Sequence, residues 1–89
     1  MTKGGVILKV KKGGYYQHYR GNIYKVLDIA KHTETGEELV IYMRGELGTP
    51  DDRWARPRAM FEEKVKVDKD GEYVEVDRFY YLGGGRNFV

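Results

Sequence analysis

Apolar residues recur at alternate positions in short runs along much of this chain. Val6, Leu8 and Val10 share one face of a run from Val6 to Lys11, with Ile7, Lys9 and Lys11 on the other. A period of two marks a β-strand, whose successive side chains point to opposite faces. Gly13-Gly14 then supplies a turn, because glycine reaches positive φ without steric cost. Tyr15 to Arg20 reads as a second strand and Gly21-Asn22 as another reversal. Ile23 to Lys31 predicts a third strand, with Ile23, Lys25, Leu27 and Ile29 facing one way and Tyr24, Val26, Asp28 and Ala30 the other. Apolar residues on both faces suit a bent barrel strand that touches the core on one side and is partly covered on the other.

Glu37 to Arg44 is expected to pair with that strand across Thr33-Glu34-Thr35-Gly36. Gly45 to Arg53 is polar, holds Gly45, Gly48 and Pro50, and reads as an exposed loop. Pro57 to Glu63 predicts one or two turns of helix, since proline is tolerated where its missing N–H has no partner anyway. Lys64 to Val67 and Glu72 to Val76 form a hairpin about Lys69-Asp70-Gly71, where Asp-Gly signals a type I′ turn. Arg78 to Leu82 is expected to be an edge strand, and Gly83-Gly84-Gly85 a flexible tether to the tail that ends in Phe88 and Val89.

The strand count and short connections predict a mainly β fold, a small antiparallel and partly open barrel. An SH3-like barrel fits first and an OB-like barrel second. The expected organisation is one barrel domain over residues 1–82 with the tether and tail at 83–89. A chain of 89 residues has room for one modest core. It contains no cysteine, so neither disulfides nor thiolate metal sites supplement that core. No apolar run approaches a membrane span, and Val6-Ile7-Leu8 is too short for a signal-peptide core. A cytoplasmic protein with no membrane association is the expectation.

Net charge is +2, but the chain is polarised. Residues 1–31 hold seven bases against Asp28, giving +6, whereas residues 32–89 hold nine bases against thirteen acids, giving −4. The basic first third would attract an anionic ligand at long range. A duplex-binding protein would usually be more basic.

Catalysis finds little support in these residues. Serine is absent altogether, and the threonines lie in predicted loops or at the terminus with no motif around them. Glu37-Glu38, Asp51-Asp52 and Glu62-Glu63 are adjacent pairs, which on a strand would point apart. Gly83-Gly84-Gly85 lacks the Lys-Ser/Thr and following helix of a phosphate loop. The chain is expected not to be an enzyme. His18 and His32 are the only histidines, and a metal would need Asp28, Glu34 or Glu37 as a further ligand. Structural hydrogen bonding ranks first for the two histidines, ligand contact second and metal last, so neither a metal nor another cofactor is expected.

Arg20, Arg56 and Arg78 each adjoin an aromatic residue or a proline that would hold the side chain in place. A guanidinium grips phosphate or carboxylate through two donors while its face stacks on a ring. Three such groups converging would make an anion site; ion pairing with Glu34, Glu37, Glu62 or Glu63 is the plainer alternative. Tyr16, Tyr19, Tyr24, Tyr42 and Trp54 are numerous for so small a domain, and about three of the five are expected to fill the core. The others would form a stacking platform for a base.

Several separated blocks carry a family resemblance. They are Gly14-x-Tyr16-x-His18-Tyr19-Arg20-Gly21, Tyr24-x-Val26, Ala30-x-His32-x-Glu34-x-x-Glu37, Val40-x-Tyr42, Trp54-x-Arg56-Pro57-x-x-Met60-Phe61 and Arg78-Phe79. On these blocks Gly14 to Phe79 resembles the bacterial family called domain of unknown function 1653. The strand before Gly14 and the length of the Asp68–Val76 hairpin depart from the family pattern. The resemblance implies a small β-rich fold and, lacking an assigned activity, transfers no catalytic residue.

Together these features predict a non-catalytic binding protein for an anionic, ring-bearing ligand, either a nucleotide-like small molecule or short single-stranded nucleic acid. Arg20, Arg56 and Arg78 are the expected anion contacts, Tyr19, Tyr42 and Trp54 the stacking rings, and His18 and His32 the hydrogen-bonding partners. The alternative is a protein-interaction module or homodimer without a nucleotide ligand, built on the two apolar faces of Ile23–Ala30 and a tail that swaps onto a neighbour.

Overall fold

A computed structural model of the protein describes residues 10–44 and 52–87. The elements run β1 (Lys11–Lys12), β2 (Tyr15–His18), β3 (Ile23–Lys31), β4 (Glu38–Arg44), β5 (Arg53–Pro57), α1 (Arg58–Glu62), β6 (Lys64–Lys69), β7 (Glu72–Asp77), β8 (Phe79–Gly83) and β9 (Arg86–Asn87). Most of the strand expected over Val6–Lys11, most of the loop at Gly45–Arg53, and Phe88 lie outside the described residues.

Five strands form one antiparallel sheet in the order β5-β4-β3-β2-β8, while β1 pairs with β9 and β6 with β7 as separate ribbons. The fold is mainly β with one short helix. No ladder joins β5 to β8, so the sheet is not closed into a barrel among the described residues.

The core side of the sheet carries Tyr16, Val26, Val40, Tyr42 and Phe79, joined by Val10 and by Phe61 from α1. Phe61 stacks on Phe79 at 4.0 Å and meets the rings of Tyr16 and Tyr42 edge-on. Edge-to-face contacts suit aromatic quadrupoles, and such rings supply much of the burial a small domain needs.

The alternation expected along Ile23–Lys31 does not hold throughout. Val26 pairs with Tyr42 but Asp28 pairs with Ile41, so a bulge at Leu27 adds one residue to β3. A bulge shifts the phase of alternation and bends the strand. Ile29, opposite Val40, therefore packs on the core together with Tyr24 and Val26. Strand β5 also differs from expectation, because the chain is already paired to β4 from Arg53 onward. Proline at its end hid this strand: Pro57 closes β5 and, at φ −51° and ψ 135°, caps α1.

Turn chemistry matches the sequence at Asp70-Gly71, where φ values of 55° and 86° are those a type I′ hairpin requires. The glycines at 83–85 differ from a flexible tether. Gly83 ends β8, all three have positive φ, and the chain continues into the β1–β9 ladder. A Cβ on Gly85 would lie 2.4 Å from the amide nitrogen of Gly14. Only glycine allows these two segments to approach so closely.

Candidate nucleic-acid or nucleotide interface

Strand β2 ends at His18, whose register partner on β8 is Phe79. The His18 ring meets Phe79 edge-on at 5.0 Å and lies over Tyr19 at 4.5 Å. Beyond β2 the chain reverses: the Gly21 amide donates to the His18 carbonyl at 2.7 Å, and Gly21 has φ 116°. That turn carries Arg20. Its backbone N–H donates to His18 Nδ1 at 3.1 Å, and its Nε–H donates to the Tyr19 hydroxyl at 3.2 Å.

Arg56 arrives from the opposite edge of the sheet. It alternates with Trp54 along β5, so the two share a face. The Arg56 Nε–H donates to the Tyr42 hydroxyl at 3.3 Å, and the guanidinium carbon lies 5.4 Å from the centroid of Phe79. Strands β5 and β8 are the two edges of a five-stranded sheet. Flat, their separation would be about 19 Å at the usual strand spacing. The Arg56–Phe79 contact therefore requires the sheet to curl over the core.

Arg78 occupies the bend between β7 and β8. Its carbonyl accepts from the Tyr19 amide at 3.0 Å, its amide donates to the Glu63 carbonyl at 3.1 Å, and Nη2 donates to the Glu63 carboxylate at 2.7 Å. Its Nε–H is shielded from solvent and has no acceptor among the described residues. A buried donor left without an acceptor is costly, about 1–3 kcal/mol.

The three arginines converge electrostatically on the His18–Tyr19 pair. Burial, followed by the positive charges of Arg56, Arg78 and Arg20, holds the His18 imidazole below its ordinary pKa of 6.5. The hydrogen bond from Arg20, with the fields of Arg20, Arg78 and Arg56 adding to it, lowers the Tyr19 phenol against an opposing desolvation. Carboxylates compensate only part of this charge. Arg78 pairs with Glu63, whereas neither Arg20 nor Arg56 makes an ion pair among the described residues. Glu62, another candidate counter-ion, is held by Arg58 at 3.0 Å.

The remaining expected residues divide by position. Trp54 is 48% exposed and presents a ring beside Arg56. Tyr42 is only 5% exposed, so its ring belongs to the core and its hydroxyl fixes Arg56 instead of stacking on a ligand. His32 sits beyond the far end of β3, of the order of 25 Å along the strand from the His18 end. There its Nδ1 accepts from the amides of Glu34 and Thr35 at 3.0 and 3.4 Å, which organises the β3–β4 loop. Among the described residues no group of three metal-ligating His, Asp or Glu side chains occurs. No helix among them is long and apolar enough to cross a membrane.

Phe79 is the residue that sequence reasoning missed as part of the site. It forms the shared floor beneath His18 and Arg56. Its signals were its place beside Arg78 and in the Arg78-Phe79 block of the family resemblance, but a lone phenylalanine in an apolar run looks like any core residue.

The model of the family described as "Protein of unknown function (DUF1653)" matches residues 14–81. The chain is also similar to the crystal structure of a DUF1653 protein from Bordetella bronchiseptica. The two share 30% identity and a TM-score of 0.63 over 81% of this chain and 87% of the other. No curated protein matches the chain.

Proposed function

The chain belongs to the DUF1653 family of unknown function, and on that premise we propose that it is a non-catalytic binding protein for an anionic, ring-bearing ligand. A nucleotide or short single-stranded nucleic acid is the ligand class. The observation that carries this reading is the gathering of Arg20, Arg56 and Arg78 about His18, Tyr19 and Phe79 with only Glu63 as counter-ion among the described residues. Ordinary structural arginines are paired; among the described residues Arg20 and Arg56 have no carboxylate partner and place Nε on phenol oxygens. Each keeps its terminal nitrogens as further donors, a fork suited to two oxygens of one phosphate. Trp54 and Tyr19 supply ring faces for a base.

The barrel reading belongs with this proposal. A partly open, SH3-like barrel is favoured because side chains of the two edge strands meet across the core at Arg56 and Phe79. The curl that brings them together also creates the cationic cluster.

A fluorescence titration tests the reading, because Trp54 is the only tryptophan in the chain. Nucleoside monophosphates and short oligonucleotides at low salt are expected to change its emission saturably. Arg56→Ala is expected to weaken binding roughly tenfold to a hundredfold, the value of one charge-assisted hydrogen-bonding group. Unchanged binding in Arg20→Ala and Arg56→Ala would sink the assignment.

A second reading, a protein-interaction module or homodimer, has one observation in its favour. Among the described residues strand β8 is an edge strand, on which Tyr80 is 61% and Leu82 46% exposed. Unpaired edges with apolar side chains are templates for strand addition. Sedimentation across protein concentrations, with Tyr80→Glu as the control, distinguishes it: a monomer at every concentration rejects the homodimer.

A further inference from the structure

We infer that the site recognises a terminal phosphate, the monoester of a free nucleotide or of a strand end, in preference to the phosphodiesters inside a strand. The inference rests on the anion-binding reading given above and specifies its ligand.

The arrangement of charge is the first reason. A surface that follows a nucleic-acid strand distributes its cations along a groove. Here Arg20 follows β2, Arg78 precedes β8 and Arg56 lies on β5, yet all three act on one imidazole and one phenol. Their contacts gather in one place as well: Arg20 bonds the Tyr19 hydroxyl, the Arg78 carbonyl accepts from the Tyr19 amide, and Arg56 and His18 share the Phe79 ring.

Amount of charge is the second reason. Three guanidiniums against the Glu63 carboxylate leave two positive charges among these groups, with His18 held toward its neutral form. A phosphomonoester carries about −1.5 to −2 at neutral pH, which matches this excess. One phosphodiester carries a single negative charge and would leave part of the repulsion among the arginines unrelieved.

The inventory of donors is the third. Arg20 and Arg56 have Nε committed to phenol oxygens, and a hydroxyl that accepts in this way keeps its own proton to donate. Tyr19 and Tyr42 thus add a hydroxyl donor beside each of the two arginine forks. A terminal phosphate offers three non-bridging oxygens to such donors, whereas an internal phosphodiester offers two.

The test titrates the full chain, by Trp54 fluorescence at fixed salt and pH 7.5, with two trinucleotides of one sequence, one with a 5′-phosphate and one with a 5′-hydroxyl. A nucleoside 5′-monophosphate, its unphosphorylated nucleoside and inorganic pyrophosphate complete the series. The 5′-phosphorylated strand is expected to bind roughly tenfold or more tightly than its 5′-hydroxyl counterpart, the worth of added charge-assisted hydrogen bonds. Arg20→Gln, an exposed substitution, is expected to remove most of that preference. Equal affinity of the two trinucleotides would overturn the inference while leaving the anion-binding reading intact; no binding by any member of the series would overturn both. If the preference exists, a monophosphate as tight as the phosphorylated strand identifies a free nucleotide as the source. A much weaker monophosphate identifies a strand end.

Discussion

His18 connects the site's electrostatics to its stability. Burial and three nearby guanidiniums lower its proton affinity in the folded chain, whereas an unfolded histidine titrates near 6.5. As pH falls through that value the unfolded chain takes up a proton that the native state resists. Acid therefore favours unfolding, and stability rises with pH across this window. His18→Asn, which keeps an acceptor near Nδ1, is expected to lose less melting temperature than the parent between pH 7.5 and pH 5. Parallel thermal melts of the two proteins check this; equal losses would show that neither burial nor the arginines lower the proton affinity of His18. At this same scale the residue types were legible in sequence, because arginines beside rings are visible in a string of letters. Tyr42 was not: nothing local distinguishes a tyrosine whose ring is buried from one that stacks on a ligand.

Phe61 shows how a short element acts through one residue. Helix α1 spans Arg58–Glu62 and buries only Phe61, which stacks on Phe79 beneath His18 and Arg56. An ion pair from Arg58 to Glu38 ties the helix to β4, and a second to Glu62 closes within the helix, but partly exposed pairs of this kind contribute little. Phe61→Ala is expected to destabilise the domain by about 3–5 kcal/mol through lost burial and a residual cavity. Denaturant unfolding measures this directly, and a loss below about 1 kcal/mol would mean that the floor repacks without Phe61. Elements with strong local signals were read well from sequence: β3 matches its expected bounds, and the Asp70-Gly71 turn has the expected backbone. The Leu27 bulge was illegible because it is a mismatch between two strands and has no signature within either one.

For the whole molecule, a net charge of +2 on 89 residues sets a weak long-range field, with positive charge concentrated in the first third and at the arginine cluster. Binding that neutralises so few phosphate charges should depend only moderately on salt. With two phosphate charges neutralised, the slope of log affinity against log salt is expected near −1.4, following about −0.7 per charge for single strands. Titrations between 50 and 300 mM salt measure it, and a much steeper slope would indicate an extended basic track. By itself the sequence determined the strand-rich character, the turns at glycine and Asp-Gly, and the set of arginines and rings from which a site can be built. These follow from side-chain alternation and backbone sterics, which act over a few residues. Only the tertiary structure decided which tyrosines enter the core, where β3 changes phase, and that His32 stands apart while Arg56 reaches Phe79. Those outcomes depend on how far the sheet curls, a property set by pairing and packing among strands distant in the chain.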